Sequence, residues 1–286
     1  MITDRINAAV LGLGAEKTVE VTENGQVIER TEPNIEVRIG AIFALEWIAK
    51  KNLDVHVQIM ELLCTYIREN AKISRENQRE LFSLEASMSL KYANNENAEV
   101  SKIIELEQLP EILKSGQDIQ AAIKVLGRRS AHAIDEEKRV KFKIDMSDWF
   151  FSRVSFTGNF NDASFHNIFI IGSHFHETKL NGAEFLWCNF YNLVFFRVSA
   201  NDATIDETHF AESYFTDHCE AKGAQFAGTY FTSNDFGVAN INAPGVIDVS
   251  DSVFFECLYQ NTALPHFVRN NTRFEGCSIV RSPTER

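Results

Sequence analysis

Apolar residues recur at every fifth position through the second half of the chain. Stepping from Phe160 gives Phe165, Ile170, Phe175, Leu180, Phe185, Phe190, Phe195, Ala200, Ile205, Phe210 and Phe215. At 44% hydrophobic composition, such an unbroken run arises by chance on the order of 1 in 10⁴ times. Two residues before each lies a second series, most of it small: Gly158, Ala163, Ile168, Ser173, Thr178, Ala183, Cys188, Leu193, Val198, Ala203, Thr208 and Ser213. A step of five matches neither the helix nor the strand period, so every repeat must contain a turn. With the two marked positions inward and the other three outward, four repeats close one square coil of about twenty residues. Stacked coils then bond backbone to backbone at the strand spacing of about 4.8 Å.

The phase slips in three places. Phe151 and Phe156 are in step with each other, but one residue is lost before Phe160. After Phe215 the next centre is Phe226, one residue late, followed by Phe231, Phe236, Ile241 and Val246. Pro244-Gly245 interrupts and Phe254 resumes the pattern, which Phe274 and Ile279 carry on behind Thr272 and Cys277. These slips predict a bulge or outward loop near 217–223 and near 243–252.

The triplets Ala163-Ser164-Phe165, Ala183-Glu184-Phe185, Ala203-Thr204-Ile205 and Ala224-Gln225-Phe226 resemble the Ala-polar-Leu/Phe core of pentapeptide-repeat proteins. The resemblance covers roughly residues 144–280. It implies a right-handed quadrilateral parallel β-helix.

The first half reads differently. Residues 35–50 carry Val37, Ile39, Ile42, Leu45, Ile48 and Ala49 at helical spacing, and residues 54–70 carry Val55, Ile59, Leu62, Leu63, Tyr66 and Ile67. With Asp54 as N-cap, these predict a helical hairpin. Alternation on both sides of Asn24-Gly25 predicts a β-hairpin near 17–31. Residues 74–115 are polar and helix-prone, with a loop at Asn94-Asn95; residues 117–128 form a further amphipathic helix, and 129–143 link to the first coil. The expected organisation is therefore an α-helical domain with one β-hairpin over 1–140 and a mainly β solenoid over 141–286. A parallel coil leaves an unpaired strand edge at its end, which the helices would cap. RIGAIFALEWIA (38–49) and DIQAAIKVLGRR (118–129) resemble a segment preceding the repeats in many bacterial members of the family. Transmembrane helices come before that segment in some of them, whereas here some thirty residues with a hairpin do.

Composition changes the picture mainly by exclusion. Lys and Arg total 28 against 40 Asp and Glu, a net charge of −12, so phosphate-gripping surfaces and direct nucleic-acid binding are not expected. Both halves are acidic. Five widely spaced cysteines without a CxxC pair suit a reducing compartment, and no run reaches the roughly 18 apolar residues of a spanning helix. A cytoplasmic location without membrane insertion is expected. Of the 23 Phe only Phe43 and Phe82 precede residue 141, which fits a repeated interior that one aromatic fills.

Candidate chemistry is sparse. His174 and His176 flank Phe175 and point outward while His166 lies two faces away, so no metal set forms; Cys188 and Cys277 take the small inward position as inert packing. No GxSxG, P-loop, HExxH or dinucleotide fingerprint appears, so neither a cofactor nor an enzyme activity is expected. Two surface features remain. Ile171, Leu186, Trp187, Tyr191, Val194, Phe196 and Tyr214 take outward positions on adjacent faces and would form an apolar patch, covered by the helical domain or by another protein. Phe169 and Phe255 also read as outward. Asp202, Asp206, Glu207, Glu212, Asp217 and Glu220 form an acidic girdle. Some pentapeptide-repeat proteins imitate DNA and occupy gyrase, with dimers formed through the terminal coil, so the resemblance implies a DNA mimic and a homodimer. A mimic needs acids stacked at steps of twenty, yet these encircle one coil. The residues point first to a non-catalytic interaction protein with a protein partner, second to an acidic mimic acting on gyrase or a defence nuclease, and third to a regulatory subunit whose helices bind while the coil spaces them.

Overall fold

The computed structural model describes residues 2–23, 25–71, 115–211, 213–216, 219–232, 234, 253–255, 258–260, 273–276 and 278–280. The chain begins with helix α1 (Ile2–Leu13), the hairpin β1 (Glu16–Glu23) and β2 (Gln26–Pro33), then α2 (Ile35–Lys51), a 3₁₀ turn (Leu53–Val55) and α3 (His56–Asn70). Helices α4 (Gln117–Gly127) and α5 (Ala131–Arg139) lead into the coil. Three of these features depart from the sequence expectation. Helix α1 was not anticipated, the stretch read as a link contains α5, and Asp54 lies in the 3₁₀ turn instead of capping α3. Asn34 and Ser130 act as the side-chain caps, accepting from Val37 N at 3.4 Å and Ala133 N at 3.2 Å. Of the stretch 74–115, with its Asn94-Asn95 loop, only Ser115 falls among the described residues.

Every β-pairing in the C-terminal half is parallel. Among the described residues, three faces of the coil are sheets of four, six and seven strands, and the fourth is held by isolated bridges such as Lys179 to Ser199 and Ser199 to Glu220. The result is a four-sided parallel β-helix. Register follows the phase read from the sequence: Phe165 lies opposite Phe185 and Phe175 opposite Phe195, a step of twenty. In the first coil Phe156 meets Phe175 and Gly158 meets Thr178, so the lost residue appears as a bulge between Phe156 and Gly158. The extra residue after Phe215 shows as a step of 21 from Ile205 to Phe226. Phe226 then pairs with Phe254, an advance of 28, and the loop expected near 243–252 lies outside the described residues. The step returns to twenty between Phe254 and Phe274.

The large inward positions build the axis. On one face the rings of Phe156, Phe175, Phe195 and Phe215 stack with centroids 4.5, 5.0 and 4.5 Å apart and planes within 9°. Phe210 on Phe231 repeats the arrangement on a neighbouring face and Phe165 on Phe185 on the opposite one. On the fourth side the inward series shrinks from Phe160 to Leu180 to Ala200, which leaves room for the rings of the other three. The small inward positions carry a second device. Ser173 Oγ donates to Ile171 O at 3.0 Å and accepts from Val154 N, one coil below, at 3.1 Å. Thr208 and Ser213 repeat it toward Cys188 N and Leu193 N. Each buried hydroxyl is thus satisfied while it ties two coils together.

The helices close the first coil. Gln120 on α4 donates Nε2–H to Ser155 O at 2.9 Å and accepts from Ser155 N at 2.7 Å, which reproduces the bonds of a missing strand. Ser115 does the same for Ser152, Ala71 O accepts from Phe150 N at 3.3 Å, and Arg129 donates to Asn159 O at 2.7 Å. Backbones meet directly at Gly127, where a Cβ would stand 2.0 Å from Thr157 O. The hydrophobic core runs without a break from Leu45, Leu63 and Leu126 into Phe151, Phe156 and Phe160. Polar pairs brace the helices: His56 and Arg129 both bond the buried Glu137, the exposed Arg128 grips the buried Glu46, and Tyr66 donates to Asp118. Burial pushes the Tyr66 hydroxyl up, and its bond to Asp118 acts in the same direction.

Candidate functional site

The turn that each repeat needs is made by one residue in the left-handed region. Two positions after each inward centre φ is positive, at Arg153, Gly158, Asp162, Asn167, Gly172, Glu177, Gly182, Trp187, Asn192, Arg197, Asp202 and Glu207. Glycine, Asn and Asp tolerate this conformation; other side chains meet the following carbonyl, at about 1–2 kcal/mol per residue. Trp187, with φ 55°, is the one aromatic at such a corner among the described residues. It is 55% exposed. Its corner column runs Asp148, Asn167, Trp187, Glu207, Gly228, and side chains link along it: Asn167 Nδ2 donates to Asp148 at 2.6 Å and Trp187 Nε1 donates to Glu207 Oε2 at 2.7 Å. That second bond holds the indole against the next coil.

The other six apolar candidates fall into separate groups. Leu186, beside Trp187, is half-buried. Ile171 and Tyr191 pair across two coils as their spacing implied, yet both are buried although they point away from the axis. The same face receives Ala71 and Ser115 at its first strand, Phe150–Ser152. Val194 lies opposite Tyr214 on the next face, and with Phe196 all three are half-buried. Phe196 is covered on one side by His176, stacked at 4.9 Å and 6°, and on another by the Arg197 guanidinium at 4.8 Å, which also pairs with Glu177 at 3.3 Å. The sequence presents His176 only as a metal ligand to be weighed and Arg197 not as a candidate; their packing on Phe196 is not foreseen there, although they lie one coil step and one residue from it. The apolar residues therefore do not share one open surface, and Trp187 is the most exposed of them.

Of the acidic candidates, Asp202 and Glu207 are exposed and Asp206 is half-buried, while Glu212 and Asp217 lie outside the described residues. Asp202 occupies a corner column with Asp162, Gly182 and Gly223, so acids alternate with glycines along the coil axis. Glu220 pairs with Lys222 at 3.7 Å.

The remaining polar groups are quiet. Cys188 donates to Phe165 O, and burial pushes its thiol up to about 12, as it does for Cys64 in α3. Cys277 lies outside the described residues. Burial lowers the pKa of His174, with a further push from His176, and burial alone lowers that of His209. Lys143, at 3.0 Å, holds Glu184 below the usual carboxylate range. No group of three His, Cys, Asp or Glu side chains converges as a metal site among the described residues. Also among the described residues, no helix is long and apolar enough to cross a membrane.

Residues 159–192 match the family model for pentapeptide repeats, in eight copies. No curated protein matches the chain. Among solved structures it is similar to trypsin-treated QnrB1, a plasmid-mediated fluoroquinolone resistance protein, at 16% identity over 46% of this chain and 86% of that one, with a TM-score of 0.22. It is also similar to Rfr23 from the cyanobacterium Cyanothece 51142, at 7% identity, 51% and 99% coverage and a TM-score of 0.18. HetL from Nostoc sp. PCC 7120, a pentapeptide repeat protein of heterocyst differentiation regulation, matches at 8% identity, 51% and 95% coverage and a TM-score of 0.13.

Proposed function

The chain belongs to the pentapeptide-repeat family by its coils, and on that premise we propose that it is a non-catalytic protein whose rigid β-helix presents a surface to a protein partner. The observation that carries this reading is Trp187. A bulky aromatic in the left-handed region works against folding, where Asn167 and Gly228 of the same column serve at little strain. Held by Glu207 and backed by stacked Phe rings, the indole is pre-set on a scaffold that does not have to reorganise on binding. Trp is enriched among the few residues that carry most of the binding energy at protein interfaces. Leu186 and Glu207 complete the contact.

The test compares the wild type with Trp187→Asn, a residue that suits the corner. Immobilised wild-type chain retains a protein from the source cell extract that Trp187→Asn does not retain, while the thermal midpoint of the variant is equal or higher. Equal retention by both chains would remove the reading. The acidic surface supports the alternative, a DNA-mimic regulator, less well. Asp162 and Asp202 stand two coils apart, about 9.6 Å at the strand spacing, with Gly182 between them. Loss of gyrase supercoiling on addition of the protein would favour that alternative.

A further inference from the structure

Among the described residues the hairpin β1–β2 makes no sheet with the rest of the chain, and it is exposed along nearly all of both strands. Its base is tied where Asn34 N donates to Ala15 O at 2.9 Å and Arg38 Nε donates to the same carbonyl at 3.0 Å, and where Lys17 pairs with Glu36 of α2 at 3.8 Å. A two-stranded ribbon on its own is marginal in water. This one also sets Glu20 directly opposite Glu29, and like charges facing each other across a ladder weaken it. On the same face Val27, opposite Thr22, is 66% exposed. The ribbon therefore carries an exposed apolar residue near its tip and two facing carboxylates.

The two helices that flank the ribbon in sequence wall a groove of about 690 Å³. Ala8 and Gly12 of α1 face Gly40 and Ala44 of α2 across it, Trp47 lies at its far end, and Arg5 is its one charged lining residue, with the guanidinium 5.9 Å from the Trp47 ring centroid. Gly12 has an internal reason to be glycine, since a Cβ there would meet Ala41 Cβ at 2.9 Å. Gly40 has none. A Cβ at Gly40 would meet nothing within 4 Å, although a glycine inside a helix weakens it relative to alanine. Space kept clear above an exposed helix backbone, next to an arginine, fits a segment that brings apolar side chains and carboxylates.

We infer that the groove receives the hairpin of a second copy of this chain, with Val27 over Gly40 and the Glu20–Glu29 pair around Arg5, and that two copies exchange hairpins reciprocally. Charge complementarity favours this occupant: residues 16–33 hold five Glu against Lys17 and Arg30. Connectivity favours it too, because the ribbon leaves the molecule between the helices that form the groove, so one two-fold axis satisfies both contacts. This exchange is independent of the β-helix surface around Trp187.

Light scattering on the full chain at about 50 µM is the test, since exchange is concentration-dependent. The expected mass is twice 32.5 kDa. Replacing residues 16–33 by Gly-Gly, with the Ala15–Asn34 base kept, gives single chains. Gly40→Leu, whose Cβ would meet nothing within 4 Å and whose side chain enters the groove, does the same and leaves the circular dichroism spectrum unchanged. A wild type of one chain overturns the inference. So does a dimer that survives in both variants.

Discussion

Replacing Gln120 tests whether a side chain substitutes for a strand at the start of the coil. Gln120→Met keeps the length and helix propensity but removes both bonds to Ser155, at 2.9 and 2.7 Å. Each bond lost is worth about 1 kcal/mol net, and each group left without water costs about 1–3 kcal/mol. Since Gln120 and Ser155 are partly buried, the expected loss is about 2–4 kcal/mol in urea unfolding followed by circular dichroism. The loss has a location as well as a size. Amide exchange of Ser155 and of the strand Ser155–Asn159 speeds up, while Phe185 and Phe190 keep their protection. Lys124→Met, exposed on the same helix, serves as control and shifts stability by no more than about 0.5 kcal/mol. If Gln120→Met unfolds with the wild type and exchange near Ser155 is unchanged, the edge is satisfied in some other way and the capping argument fails.

Other substitutions probe the remaining joints. Gly127→Ala drives a Cβ to 2.0 Å from Thr157 O and 2.9 Å from the Phe160 ring, so the cap must lift; about 3 kcal/mol is expected from chemical unfolding, and a neutral result would mean that the backbones can part freely. Ser213→Val leaves Leu193 N without its acceptor and should lower stability by about 1–3 kcal/mol, whereas Thr204→Val, exposed on a strand of the same coil, should not. Burial lowers the His209 pKa, so the unfolded chain takes up the proton first and stability is lost as pH falls through the unfolded value of about 6.5. His209→Gln flattens the slope of stability between about pH 7 and pH 5, and an unchanged slope would assign it to other groups.

How far the sequence reached can be judged from particular residues. The axial Phe stack was legible because every coil must refill the same interior, which prints one residue type at a fixed interval. The slip before Phe160 was legible for the same reason and reappears as the bulge at Phe156–Gly158. Helix α5 escaped because it buries little beyond Ala133 and Glu137, and is held by the Ser130 cap and by Glu137's bonds to His56 and Arg129. Those are contacts across the fold, which leave no apolar stripe. Helix α1 buries only Ala9 and Leu13 fully, with the same consequence. Phase gave the direction in which Ile171 and Tyr191 point, but direction relative to an axis does not say what lies beyond, and both are buried. For Trp187 phase gave the outward position and missed the strain, because the corner conformation is shared by all repeats and only the residue type is unusual.

The joint between helices and coil sets an order in time. Gln120, Gly127 and Arg129, which complete the first coil's edge, precede that coil in the chain and so leave the ribosome before it. Each later coil finds its hydrogen-bonding template already made and needs only about twenty more residues to close on it. Synthesis and folding can advance together in one direction, and at each stage the exposed strand edge is the one that the next residues will cover.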